Sequence, residues 1–307
     1  MGVISPVGND VNTFWSNLCN GVCGIDHIKS FPTDNLPVGV AGIIEELKPE
    51  EYGMDKPFIR KQDLFTQYGV AAAYQAMKQS GLSSQGENKN IDPFRLGVYF
   101  GSGIGGFATQ YREISKMIED PSGQWISPLF IPTMISNIAA GHIAILNNAQ
   151  GPCLDIVTAC ATSTNAMGEA FRAIRNGYAD AIITGGCENA TIPIGIVGFA
   201  NAKALSRATD PNYASLPFNG NRAGFVMADG SAALVLEEYE HAKARGAQIL
   251  GEMVGYGNTC DAYHSTAPRP DGTTQAKCIE LALEEAGFDK EKDNLYQDAK
   301  ADTIKEF

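Results

Sequence analysis

Leu154-Asp-Ile-Val-Thr-Ala-Cys-Ala-Thr-Ser163 is the stretch on which the reading of this chain turns. Leu154 to Thr158 reads as an apolar strand. Beyond Cys160 the small residues Ala161, Thr162, Ser163, Ala166 and Gly168 open a helix that runs to about Arg175, where Asn176-Gly177 supplies the stop. A cysteine usually packs as an inert small hydrophobe. Cys160 instead falls on a sharp strand-to-helix turn. There the positive end of a helix favours an anion, small neighbours leave room for a substrate, and backbone N–H groups can stabilise an oxyanion. That is the setting of a nucleophile.

Outward from this turn, strand and helix patterns alternate. Arg95 to Phe100 reads as a buried strand, Ala181 to Thr184 as a second that ends at Gly185-Gly186, Ser231 to Glu237 as a third and Ile249 to Tyr256 as a fourth. Helical spacing predicts helices over 62–80, 107–119, 238–245 and 275–286. Residues 1–60, broken by Pro6, Pro32, Pro37 and Pro57, read as loops and short elements. The alternation predicts an α/β fold with a largely parallel sheet.

Composition narrows the function. The chain has 307 residues, 44% of them hydrophobic and 19% charged, which suits a folded protein rather than a disordered one. Its 23 Lys and Arg against 35 Asp and Glu give a net charge of −12. With no basic cluster, nucleic acid is not an expected partner. The longest apolar run, 192–200, is too short to span a membrane and is broken by Pro193 and glycines. Met1–Gly8 has neither the basic start nor the apolar stretch of a signal peptide, so the cytoplasm is the expected compartment. Seven irregularly spaced cysteines do not form a disulfide framework, and four scattered histidines form no metal signature. Cys153 and Cys187, in or beside strands, are read as core.

Gly101-Ser-Gly-Ile-Gly-Gly106 has the dinucleotide spacing, follows a strand and opens a helix. The second strand with a terminal acid that such a site needs does not follow; Pro121-Ser-Gly reads as a loop. A tight turn lining a pocket is the better reading, with a dinucleotide-binding oxidoreductase kept as an alternative.

Several motifs in order resemble the β-ketoacyl-acyl carrier protein synthases, and most of all the synthase II type. They are Ile4-Ser-Pro-Val-Gly8, the Gly101–Gly106 turn, Thr158-Ala-Cys-Ala-Thr-Ser163, Gly185-Gly-Cys-Glu188, Gly198 to Ser206, Gly224 to Gly230, Leu236 to Gly246 and Asp261-Ala-Tyr-His264. The resemblance runs from about residue 2 to 288. It implies a thiolase-like layered α-β-α-β-α fold, with an N-terminal half over 1–251, the start of a C-terminal half over 252–288 and a divergent charged tail over 289–307. On that expectation the C-terminal half is largely missing. It also implies a homodimer, no cofactor, and a partner in acyl carrier protein. Cys160 would hold the acyl chain while malonyl-carrier protein loses CO₂ and attacks it. Ile104 and Phe199 match acyl-pocket positions, Phe130 matches one that reaches the partner subunit's pocket, and His264 matches one near the pocket. Arg60, Lys61 and Arg207 fall in segments that resemble the carrier-docking face. The family's two catalytic-histidine stretches and its Phe-Gly-Gly gate do not occur in these residues. The expectation is therefore a condensing enzyme that is inactive as this chain alone. The alternative is a non-catalytic partner of the chain-length-factor kind, against which the presence of Cys160 speaks.

Overall fold

The computed structural model describes residues 1–82 and 90–288, which divide into two units, Met1–Gln248 and a second beginning at Ile249. The charged tail expected over 289–307 lies outside the described residues. In the first unit the chain runs β1 (Gly2–Ile4), α1 (Val11–Cys19), β2 (Asp26–His27), β3 (Val40–Ala41), α2 (Lys56–Lys61), α3 (Leu64–Ser80) and β4 (Leu96–Gly101). It continues through α4 (Phe107–Glu119), α5 (Phe130–Met134), α6 (Ile138–Leu146), β5 (Cys153–Leu154), α7 (Thr162–Arg175), β6 (Ala181–Glu188), α8 (Pro193–Asn201), β7 (Gly230–Glu237) and α9 (Tyr239–Ala244).

Five strands form one sheet in the order β1-β7-β6-β4-β5, while β2 and β3 pair separately. The sheet is mixed rather than largely parallel: β5 and β6 run parallel to β4, but β7 is antiparallel to both β6 and β1. The long excursion between β6 and β7 lets the chain re-enter the sheet in the opposite direction.

Alternation along the strands sorts side chains onto two faces. Val98, Phe100, Ile183 and Cys187 point to the side covered by α3 and α6. Tyr99 and Ile182 point to the side covered by α7, against Ala170 and Ala173. The result is an α/β/α sandwich, and all six residues of β4 are buried because both faces are covered. Helix α3 begins where Asp63 accepts the Phe65 N–H and ends at Gly81, whose φ of 72° a residue with a Cβ adopts only with strain. Helix α7 lies close to the sheet because its inward positions are small: Ala166, Gly168, Ala170 and Ala173 are all buried.

Several expectations are corrected. The strand expected over 154–158 is only Cys153–Leu154, because from Asp155 the chain leaves the sheet to build the cysteine turn. The strand expected over Ala181 to Thr184, ending at Gly185-Gly186, extends to Glu188, since its ladder with β7 continues to Gly230. Residues 1–60 contain a helix, α1, capped by Asp10 on Thr13. The apolar run at 192–200 is α8, with Pro193 in its first turn, where a missing N–H costs nothing. Cys187 is core, but Cys153 is exposed, because β5 is the last strand of the sheet. Among the described residues no helix is long and apolar enough to cross a membrane.

In the second unit, α10 (Thr273–Glu285) is the one helix among the described residues. Ile249 to Tyr256 is not a strand, because no strand there pairs with it. It is an extended segment held to α10: Glu285 accepts the Tyr256 N–H at 2.8 Å, and Gly255 and Gly257 lie so close to the helix backbone at Ala282 and Cys278 that a Cβ would overlap it.

Candidate functional site

The parallel strands β4, β5 and β6 end at the same edge of the sheet, the edge where open α/β sheets place their sites. After β5 the chain breaks from the ladder into a single 3₁₀ turn, Ala159–Ala161, and passes directly into α7. Ala159 has φ of 50°, the left-handed region that a β-carbon disfavours. Strain of this kind lasts only where its surroundings over-determine it. The Thr162 hydroxyl oxygen accepts the Thr158 N–H at 2.9 Å, and Asn165 Nδ2 donates to Thr158 Oγ1 at 2.9 Å. Glycines let the turn sit down on the sheet. A methyl on Gly101 would overlap Ile156 O and Thr162 Cγ2, and one on Gly186 would overlap Ser163 Oγ. The turn therefore rises over bare backbone and presents Cys160 to solvent as an exposed thiol.

The Gly101–Gly106 turn lies against this feature. A Cβ on Gly103 would be 3.6 Å from Ala159 O. Its N–H groups are directed to protein oxygens rather than to an open cradle. Glu188 Oε2 accepts the Gly103 N–H at 2.8 Å, Glu188 Oε1 accepts the Ser102 hydroxyl at 3.0 Å, and Ser102 Oγ accepts the Gly105 N–H at 2.9 Å. A carboxylate thus occupies the position a phosphate would need, which counts against the dinucleotide reading. Burial pushes the Glu188 carboxyl up, and the bonds from Ser102, Gly103 and Ile104 pull it part of the way back. Asp155, just before the cysteine turn, is also pushed up by burial, against opposing hydrogen bonds from Ser136 and Ser102. Its Oδ1 is buried without a partner.

The structure brings Ile104 and Cys160 to one sheet edge. Ile104 follows Gly103 in the turn that packs on Ala159, and is 37% exposed. Phe130 opens α5, whose end accepts the Gly106 N–H through Met134 O at 2.9 Å, so that helix braces the same turn. Phe199, on α8, stacks edge-to-face on Phe225 with centroids 5.5 Å apart. Arg60 and Lys61 are exposed in the last turn of α2, and Lys61 O accepts the Thr133 hydroxyl. Arg207 is exposed on a separate loop after α8. His264 belongs to the second unit, on an exposed loop where its Nδ1 accepts the Thr266 and Ala267 N–H groups. Among the described residues no cluster of His, Cys, Asp and Glu could hold a metal ion.

Sequence reasoning missed Glu188, Asp155 and the strained Ala159. An acidic residue two positions after a glycine pair, at the end of an apolar strand, was the available signal for Glu188.

The family description "Beta-ketoacyl synthase, N-terminal domain" matches residues 1–242, and "Beta-ketoacyl synthase, C-terminal domain" matches residues 250–295. With these matches, the chain belongs to the β-ketoacyl synthase family. It is 45% identical over 293 residues to 3-oxoacyl-[acyl-carrier-protein] synthase 2 of Vibrio cholerae, covering 95% of this chain and 69% of that relative. To the protein of the same name from Staphylococcus aureus it is 43% identical, over 97% of this chain and 72% of the relative. Among solved structures it resembles a β-ketoacyl synthase from Burkholderia phymatum (TM-score 0.82, 27% identity, 94% of this chain and 69% of that one). It also resembles a type II polyketide ketosynthase solved with its acyl-carrier protein and bound to the hexaketide (TM-score 0.80, 30% identity, again 94% and 69%).

Proposed function

We propose that this chain is a 3-oxoacyl-[acyl-carrier-protein] synthase in which Cys160 accepts the acyl group. The observation that carries the proposal is an exposed thiol on a strained, small-residue turn at the helix α7 entrance, in a chain of this family. The sulfur attacks the thioester carbonyl of an acyl-carrier protein. A new C–S bond forms, the carrier's C–S bond breaks, and the carrier thiol leaves with the proton that Cys160 gives up. In the second stage, which needs the family's two histidine stretches and is not expected of these 307 residues alone, malonyl-carrier protein loses CO₂, and the carbanion attacks the acyl carbonyl. The 3-oxoacyl chain then leaves on the carrier, and Cys160 is released.

Ile104 and Phe199 line the acyl pocket in this reading, and Phe130 reaches the pocket of a second copy in a homodimer. Arg60, Lys61 and Arg207 receive the carrier protein. The carrier is acidic and so is this chain, at −12, so docking depends on these local cations acting against the global charge and weakens as salt screens them. The proposed setting is the cytoplasm.

Intact-mass analysis of the 307-residue polypeptide after incubation with an acyl thioester, or with a cerulenin-like electrophile, tests the reading. The expected result is one adduct at Cys160 that Cys160→Ala abolishes, with no 3-oxoacyl product, because the family's two histidine stretches are not among these residues. No adduct at neutral pH would sink the acyl-acceptor reading and favour the non-catalytic partner.

A further inference from the structure

We propose that Glu188 is a positioning residue that fixes the Ser102–Gly106 turn behind the cysteine and thereby sets which acyl chain lengths Cys160 accepts. This rests on the reading of Cys160 as the acyl acceptor.

The argument begins with the cost of placing a carboxylate there. Glu188 ends β6 on the α7 side of the sheet, the side on which Gly186 meets Ser163. Partial burial disfavours its charge, so the group must be held by what it binds. Its two oxygens divide the task. Oε1 takes the Ser102 hydroxyl at 3.0 Å and Oε2 takes the Gly103 N–H at 2.8 Å. Ser102, only 1% exposed, passes the constraint on by accepting the Gly105 N–H at 2.9 Å. Three donors of a five-residue turn thus depend, directly or through one hydroxyl, on one side chain. Such charge-assisted bonds are about twice as strong as neutral ones.

The same turn has the cysteine turn on one side and α5 on the other. Gly103 faces Ala159, Gly106 N–H goes to Met134 O, and Gly105 is packed so that a Cβ would be 2.8 Å from that same oxygen. Only Ile104 projects from it with a large apolar side chain, 37% exposed. The backbone beneath Ile104 is therefore clamped while its side chain stays available to an acyl tail. A carboxylate that holds the backbone holds the depth at which Ile104 meets that tail.

A merely structural role and a positioning role make different predictions. Loss of fold slows acylation at every chain length. Loss of position changes the ratio of long to short. The experiment measures Cys160 acylation rates by intact mass with short, medium and long straight-chain acyl thioesters. It uses the full chain, Glu188→Gln, which keeps volume but cannot accept from both donors, and Ser102→Ala, a smaller perturbation should the first variant fold poorly. Glu237→Gln, in an ion pair with Arg245 at the far end of β7, is the control for general destabilisation. The expected result is a roughly tenfold change in the long-to-short ratio for Glu188→Gln, the scale on which apolar pockets discriminate, a smaller change in the same sense for Ser102→Ala, and none for Glu237→Gln. An unchanged ratio in both turn variants would overturn the inference while leaving acylation itself in place. Failure of the parent chain to acylate at all would instead remove the reading of Cys160, and this inference with it.

Discussion

At the scale of single residues, the site is built from side chains that are absent. Gly101 and Gly186 have no β-carbon where the residues on either side of Cys160 cross the sheet, and Ala159, against Gly103, is held in a left-handed conformation. Gly101→Ala tests this directly. The added methyl meets Ile156 O and Thr162 Cγ2, and neither is the far end of a flexible chain that can swing away. Overpacking of this kind costs about 1–3 kcal/mol. On the proposed reading, a displacement of the Cys160 sulfur on the order of an ångström slows its acylation roughly 100-fold. A urea melt and the rate of Cys160 labelling measure both, and a variant that labels at the parent rate would show that the turn tolerates movement. The turn that exposes Cys160 was legible in the sequence because its residues are small and contiguous. Glu188 was not, because its partners Ser102 and Gly103 lie 86 and 85 positions away, and only the parallel pairing of β4 with β6 brings them together.

At the scale of elements, legibility followed local signals. Helix α4 matches its expected span because an apolar stripe at helical spacing starts at a glycine and ends before Pro121. Helix α8 was hidden because Pro193, Gly195 and Gly198 read as breakers, although proline at a first turn and a buried glycine such as Gly195 at a packed face break nothing. The strand expected at 249–256 failed for the converse reason: β-propensity describes a side chain that fits a paired, pleated surface, and pairing is not written locally. Helix α4 also carries a titration prediction. Glu113 is almost wholly buried; burial alone would raise its carboxyl, but Lys116, the Ser127 N–H and Arg112 outweigh that and hold it down at about 2. Its proton affinity is lower in the fold than in the unfolded chain. The stability it contributes is therefore complete above the unfolded carboxyl range near 4.5 and is lost as pH falls toward about 2. Across that window the parent should lose on the order of 2–3 kcal/mol more than Glu113→Gln, read as the difference between two stability-versus-pH curves. Parallel curves would remove the clamp on Glu113.

At the scale of the whole molecule, the open question for the sheet is its last strand. β5 is two residues long and pairs only with β4 among the described residues, so its outer edge presents unpaired backbone groups of the kind that invite a second strand. Pro152 precedes the strand, but no lysine stands beside it in the sequence to guard the edge. Leu154 is 48% exposed and Val157 50%. Ile131 on α5 and Ile145 on α6 are more exposed still, at 56% and 73%. Against association stands the charge of −12 on each copy, a repulsion that acts over about 8 Å at physiological salt and fades as salt rises. Apolar burial does not fade in that way. A standard interface removes roughly 1,600 Å² from water, and the burial of its apolar part is what opposes the repulsion of two screened acidic surfaces. The expected species is thus a homodimer that persists, and tightens, when salt is raised. Leu154→Lys with Val157→Asp places charge on the edge strand and its continuation without touching Cys160 or the Ser102–Gly106 turn. Sedimentation velocity at micromolar concentration should show the parent as a dimer at low and high salt and the double variant as a monomer. A parent that sediments as a monomer at every salt concentration would show that this edge is closed by something other than a second copy.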